Sequence, residues 1–400
     1  MMRHLAKPTP GKVRADLRPA DHDALQRMHT VHPVWRGVGL ARDVVAFPGR
    51  IILHAGPPVS PGSIAQPLAN SAMMAILYEG WAQDVASAAA MLDRGDVQLL
   101  PAQDHRAMVP LAAVLSPNMA VQIVADSRAS DNFVVSPLNG GMALAQRLGL
   151  CGRQVLSHLR WINGNLASTL EIIADRDVPL IDIADAALMD GDDCHSRTAA
   201  ATSRLVQVLA PRLGGDTPER RFLDRASGFF LNLWMAAVKC IATAGEGDGS
   251  SVITALGGNG VEVGLKLGGR SEHWVVVPAM PPSGSLLPGY REDDRLGAIG
   301  DSALVDAMGF GAMTQVSLPA VGSASNGLGG LLPLRHASFA RSRIHIGMPA
   351  RGIIEQGDVP DIVLGILDRN GRGGRIGGGI YRPPLDLFMR ALATLEPELT

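Results

Sequence analysis

The feature that most limits how this chain can fold is the stretch from Phe229 to Ala244. Phe229-Phe230-Leu231 and Leu233-Trp234-Met235-Ala236-Ala237-Val238 are apolar nearly all round a helix, broken only by Asn232 and Lys239. A helix that is hydrophobic on every side must be surrounded by other protein. At this length it is shorter than the roughly 20 residues a membrane span needs. A chain of 400 residues with 46% hydrophobic and 18% charged residues has enough apolar material to enclose it. The expectation is a soluble, cytoplasmic protein with no membrane-spanning part.

Charge narrows the partners. The formal net charge is −2, which removes the electrostatic signature of a nucleic-acid binder. The basic residues are nearly all arginine; the lysines are Lys7, Lys12, Lys239 and Lys266. Cys151, Cys194 and Cys240 are far apart and form no CxxC pair, so a reducing compartment is expected. The opening segment has no apolar core of the kind a signal peptide needs.

Along the chain the texture changes several times. Residues 1–35 read as a polar N-terminal arm. Residues 36–140 read as an α/β lobe: apolar runs at Arg50–His54, Val97–Leu100 and Ala120–Val124, with a long helix over 67–93 ended by Gly95. Strands alternating with helices predict a mostly parallel sheet, whose ligands gather at the carboxyl ends of the strands. Residues 141–247 read as a helical lobe, with helical periodicity over 141–175, 194–211 and 219–244. The type of the apolar run Val178–Ile183 stays open. Residues 248–400 read as an α+β lobe. There, two alternating runs around Asn259-Gly260 predict a hairpin, and His273–Pro278 a third strand of a meander. Arg343–Gly347 and Asp361–Gly365 look like further strands, and Asp301 like a helix N-cap.

The densest polar cluster is Asp190-Gly191-Asp192-Asp193-Cys194-His195-Ser196-Arg197, followed by a helical run. One reading is structural: Asp190 or Asp192 caps the helix and Asp193 pairs with Arg197 one turn on. The other places Asp192 and His195 on one face, the carboxylate orienting an imidazole that polarises a carbonyl or moves a proton. Arg225, Asn232 and Lys239, seven apart, form one polar line on the apolar helix. Such a line faces either carboxylates of another lobe or an anionic ligand. The glycine-rich turns ending at Ser251 and around Asn259 could surround an anion with backbone N–H groups, or be ordinary connections. There is no GxGxxG opening a helix, no Walker lysine, no GxSxG, no HExxH and no paired HxH. Neither a cofactor nor a metal is expected, although His54, His105 and His195 are present.

Six strings in order carry a resemblance. They are His54-Ala55-Gly56-Pro57-Pro58, Glu79-Gly80-Trp81-Ala82, Ser116-Pro117-Asn118-Met119, the 190–202 segment, Phe229–Lys239 and Ile299-Gly300-Asp301-Ser302-Ala303. Together, over about residues 35–390, they resemble the AllG/YlbE-like family. That family is associated with anaerobic purine and allantoin breakdown and includes a subunit of oxamate carbamoyltransferase. The chain looks like a divergent member. Pro101–Pro110 replaces a Cys-His-containing segment, and Asn139-Gly140-Gly141 stands where Asn-Glu-Gly is more usual.

The resemblance implies carbamoyl transfer between carbamoyl phosphate and a small amide acid such as oxamate, or the reverse phosphorolysis of a ureido acid. Two alternatives stay open: an amidohydrolase acting on a ureido or cyclic amide, and a non-catalytic subunit of a multi-subunit transcarbamylase. It implies a small anionic substrate and, on the subunit alternative, an acyl-CoA-synthetase-like partner; the broad apolar helices add an expectation of self-association. Carbamoyl transfer needs clamped anions and a polarised carbonyl rather than a covalent nucleophile. On that reading His195, held by Asp192 beside Asp193, polarises or shuttles a proton. Arg197, Lys239 and Arg106 clamp the phosphate or carboxylate. Asn232, His54 and Asn259 orient the amide, with His105, Ser251 and Asp301 as further substrate contacts.

Overall fold

The computed structural model of the chain describes residues 17–60, 62–171, 176–318 and 331–395. Residues 1–16 of the expected arm and 172–175 of an expected helix lie outside these. The fold is mixed α/β, and the described residues form four small sheets.

The N-terminal region contains one parallel unit. Ile51–His54 runs parallel to Gln98–Pro101, with His54 opposite Pro101. Two helices make the crossover, Gln66–Tyr78 and Val85–Asp93, where periodicity predicts one. The break falls at Glu79-Gly80. Gly80 turns out with a φ of 72°, and the Glu79 carboxylate accepts from Ser116 Oγ at 2.6 Å and Asn118 N at 2.8 Å. Asp84 restarts the helix as a cap, accepting from Ser87 N at 2.7 Å.

Among the described strands parallel pairing does not extend further, beyond an isolated parallel bridge of Ala107 to Val135. Ala120–Asp126 pairs antiparallel with Pro33–Leu40 on one side and Phe133–Pro137 on the other. Only a single turn, Ala102–His105, and the short strand Val114–Leu115 separate Gln98–Pro101 from Ala120–Asp126. The segment between them forms no α-helix of the kind a parallel crossover uses. Pro33–Leu40, at the end of the expected arm, is thus a central strand. The run at 178–183 is divided: Val178–Pro179 is the outermost strand of this sheet and Leu180–Met189 is a helix.

Helix Phe229–Thr243 lies at the centre of the molecule and is buried on nearly all sides. It packs on strands of two sheets and on helices Ala199–Leu209 and Ala303–Ala307. Trp234 meets Phe310 edge-on with ring centroids 5.0 Å apart. Each fully buried ring of this kind contributes about 1.5–3 kcal/mol. The helix does not continue back to 219. Pro218–Arg225 is a separate helix bent 71° away, and Arg225 is exposed. The expected polar line is therefore reduced to Asn232 and Lys239. Among the described residues no single helix is long and apolar enough to cross a membrane.

In the C-terminal region Ile253–Asn259 and Glu262–Leu267 form the expected hairpin. Asn259 Oδ1 closes the turn by accepting from Val261 N at 3.0 Å and Glu262 N at 2.8 Å. Val275–Pro278 adds the third strand of this meander, and Ile299–Gly300 joins the other edge. Ile362–Leu367 and Arg375–Tyr381 form a second hairpin, extended by Ser283–Leu286. Around 343–347 the backbone makes an isolated bridge, His345 to Arg335, rather than a strand.

Candidate functional site

The acidic turn folds around one carboxylate. Asp193 Oδ1 accepts from His195 N at 2.8 Å and Arg197 N at 2.9 Å, and Oδ2 from Ser196 Oγ at 2.6 Å. Cys194 sits between them with a φ of 60°, wholly buried. Arg197 Nε lies 3.3 Å from Asp193 Oδ2. Asp192 accepts from Ala201 N at 2.8 Å, inside the first turn of helix Ala199–Leu209. Of the two readings of this segment, the cap and the i,i+4 pair are both present.

The group that orients His195 is Asp306, not Asp192. The Asp192 carboxylate is committed to the helix start. His195 Nδ1 is hydrogen-bonded to Asp306 Oδ2, and both side chains are buried. The carboxylate can only accept, which makes Nδ1 the donor. Asp306 is itself fixed, since Oδ1 accepts from Ala312 N at 2.8 Å and Val363 N at 3.2 Å. Gly311 admits this approach; a Cβ there would lie 2.3 Å from Asp306 Oδ1. Gly311 N also donates to the Asp193 carbonyl at 2.7 Å, tying the two segments together.

Burial opposes charge on His195, but the field and hydrogen bond of Asp306 outweigh it and raise the imidazole pKa. Burial raises the Asp306 carboxyl as well, against the pull of His195 and the two backbone donors.

His195 opens onto a cavity of about 400 Å³. Arg147, Arg197 and Arg375 line it, with Ser196, Ser302 and the start of helix Ala199–Leu209. Arg147 Nη2 donates to Gly141 O at 3.0 Å, and Arg375 Nε to Gly377 O at 2.9 Å. Among the described residues neither guanidinium has a carboxylate partner, and Arg147 Nε is buried without any. Burial, with Arg375 nearby, lowers the Arg147 pKa to about 10. Unpaired guanidinium groups beside an imidazole form a receptor for a small oxyanion.

The other residues singled out from sequence are dispersed. Lys239 and Arg106 line a different cavity, of about 590 Å³. Asn232 Nδ2 donates to Pro137 O at 2.7 Å, in a small void bordering Asn139 and Arg147. His54 is fully buried, Nδ1 against Ala55 O, and burial lowers its pKa to about 4. His105 is half-buried just before Arg106 and lines neither cavity. Asn259 closes its hairpin and donates to Pro57 O at 3.1 Å. Ser251 Oγ donates to Asp21 at 2.8 Å, and Arg351 pairs with the same carboxylate at 3.0 Å. Asp301 is not a helix cap. Its buried carboxylate accepts from Gly56 N at 2.9 Å, Val109 N at 3.0 Å and Gln103 Nε2 at 2.7 Å. Burial pushes its pKa up to about 7 against those donors.

Sequence reasoning did not find Asp306, Arg147 or Arg375. Asp306 lies 111 residues from His195 in a five-residue helix, and nothing local marks it.

Comparison with known proteins agrees with the six-string resemblance. The family model described as oxamate carbamoyltransferase subunit AllG matches residues 97–302. The Escherichia coli (strain K12) oxamate carbamoyltransferase subunit AllG is 28% identical over 411 residues, covering 95% of this chain and 98% of the relative. The uncharacterized protein YahG of the same organism is 28% identical over 403 residues, covering 93% and 84%. A crystal structure of a conserved protein of unknown function from Enterococcus faecalis V583 superposes with a TM-score of 0.85 at 27% identity. It covers 95% of this chain and 98% of that one.

Proposed function

The chain belongs to the family of the oxamate carbamoyltransferase subunit AllG, and from that premise we propose that its His195 cavity is a carbamoyl-transfer site within a multi-subunit enzyme. The observation that carries this reading is the buried His195–Asp306 pair opening onto a cavity lined by Arg147, Arg197 and Arg375.

In the proposed reaction the amide nitrogen of a small amide acid such as oxamate attacks the carbamoyl carbon of carbamoyl phosphate. An N–C bond forms as the C–O bond to phosphate breaks. Phosphate leaves with the electron pair and takes the surplus proton from nitrogen. Phosphorolysis of the ureido acid is the same path reversed. The arginines hold phosphate and carboxylate in place, which supplies orientation. Asp306 raises the imidazole pKa against burial, which favours the protonated ring. Its remaining N–H can donate to the carbamoyl oxygen, where charge grows in the transition state. Asp306 is a positioning residue that acts through His195.

The relative's name is that of a subunit, and an acyl-CoA-synthetase-like chain is the proposed partner. The test is carbamoyl transfer from carbamoyl phosphate to oxamate, by this chain alone and with candidate partners. His195→Ala is expected to lower kcat/KM by about 100-fold, the scale of a lost proton-donor contact. A loss within about threefold refutes the role of His195. Turnover of the ureido product without phosphate points instead to a hydrolase.

A further inference from the structure

Lys239 and Gln103 both line the second cavity, and both carry unused hydrogen-bonding capacity. Lys239 is 5% exposed and Gln103 6%. Lys239 Nζ donates to Thr254 O at 2.8 Å, and among the described residues it has no carboxylate partner. An ammonium has three donors, so two are left over. A buried cation without a counter-charge is costly, and burial lowers the Lys239 pKa to about 8.

Gln103 presents the opposite deficit. Its Nε2 donates to Leu256 O at 3.1 Å and Asp301 Oδ1 at 2.7 Å, which fixes which end of the amide is nitrogen. Its Oε1 is buried and has no partner. Buried polar atoms are nearly always satisfied, so an orphan oxygen and surplus donors on residues lining one cavity mark a place for a ligand.

The walls restrict which ligand. Lys266 is already paired, its Nζ 2.6 Å from Asp104 Oδ1 and 5.1 Å from the Trp274 ring centroid. Arg106 stacks over Phe133 at 4.8 Å. Asp131, Glu246 and Glu272 also line the cavity. A polyanion entering here meets four carboxylates, counting Asp104. A neutral group with an acceptor oxygen and an adjacent N–H meets none of that repulsion.

We infer that the Lys239 cavity is a second ligand site, which takes a compound carrying a primary amide or ureido group. The carbonyl oxygen of the ligand accepts from Lys239 Nζ, and an N–H donates to Gln103 Oε1. This inference does not rest on the reaction proposed for the His195 cavity.

The probe is N-carbamoylglycine, with succinate and inorganic phosphate as comparisons, titrated calorimetrically into the full chain. An Arg375→Ala, Arg147→Met background weakens binding of the probe's carboxylate in the other cavity. In that background N-carbamoylglycine is expected to bind, and the two comparison anions at least tenfold more weakly. Adding Lys239→Met is expected to weaken the probe at least tenfold, while Lys239→Gln, which keeps a donor, restores part of the loss. In the wild type the Gln103 side-chain amide resonances are expected to shift on addition of the probe. That reading stands even if Lys239→Met does not fold. Equal binding with and without Lys239→Met, equal binding of phosphate, or an unmoved Gln103 amide overturns the inference.

Discussion

His195 Nδ1 hydrogen-bonds to the carboxylate of Asp306, and neither side chain has a meaningful share of water: they are 6% and 0% exposed. The imidazole is thus raised above its ordinary value of 6.5 chiefly by Asp306, with a smaller push from Asp193, against the opposing effect of its own burial. Asp306→Asn removes the charge and keeps the shape. The His195 pKa is then expected to fall below 6.5, because burial and Arg375 outweigh the remaining pull of Asp193. In the wild type the His195 contribution to stability is full below about 6.5 and is lost as pH rises through the raised folded value. In Asp306→Asn the lowered pKa makes stability rise with pH as the ring loses its proton. Imidazole titration by NMR reads the first effect and urea unfolding at several pH values the second. An unchanged His195 titration sinks the argument.

Ser251 tests the assignment of a sequence-chosen residue to architecture. It shares Asp21 with Arg351, so the glycine-rich turn fastens helix Pro19–Met28 to helix Ala350–Gln356. Asp21→Ala leaves the Arg351 guanidinium buried with one ion-pair partner gone and is expected to cost about 3–5 kcal/mol. Ser251→Ala is expected to cost about 1 kcal/mol, one hydrogen bond. Neither removes a lining residue of the two cavities. Chemical denaturation measures the loss, and a large drop in ligand affinity for Ser251→Ala at full folding places the residue in a site instead.

What the sequence makes legible here is what local chemistry decides. Asn259-Gly260 announces a hairpin because the Asn side chain satisfies the turn by itself. The apolar run around Trp234 announces a central helix because nothing else can bury it. The turn at 190–197 shows its caps, since Asp193 serves residues two and four places on. Distant pairing is where the reading stops. Asp192 and Asp306 are both plausible partners for one histidine, and only the packing of helix Ala303–Ala307 against the core decides between them. Arg147 and Arg375 are invisible for another reason: arginine is this chain's general basic residue, so no single one stands out. The antiparallel sheet was hidden because an apolar run such as Ala120–Asp126 does not state its direction.

Gly56 joins the His54 strand to the central hairpin at a point with no room for a side chain. Its φ is 78°, and a Cβ there would lie 2.4 Å from Gly258 C and 2.6 Å from Asn259 N. Both neighbours are backbone in a paired strand, so neither can rotate away. Gly56→Ala adds a left-handed backbone penalty of about 1–2 kcal/mol to an overpacking cost of about 1–3 kcal/mol. The urea midpoint should fall accordingly, and the Asp301 carboxylate should lose its bond from Gly56 N. A midpoint unchanged from wild type means the strand and hairpin are further apart than described.

Arg147 and Arg375 repel each other across the His195 cavity, the proximity that helps lower the Arg147 pKa to about 10. Asp192 also lines the cavity, but among the described residues neither guanidinium is paired with a carboxylate, so an oxyanion bound to both relieves the repulsion. A hydrogen bond to a charged group is worth about 1.5–3 kcal/mol, or one to two powers of ten in affinity. Arg375→Ala and Arg147→Met are each expected to weaken phosphate binding by at least tenfold. The double variant should lose less than the sum, because the two guanidinium groups act on one anion. A melting experiment separates this from a merely structural role. Phosphate should raise the Tm of the wild type and not that of Arg375→Ala, while without phosphate Arg375→Ala should melt no lower than wild type, having shed a like-charge contact. If phosphate raises both melting points equally, the anion sits elsewhere and the two arginines are not its receptor.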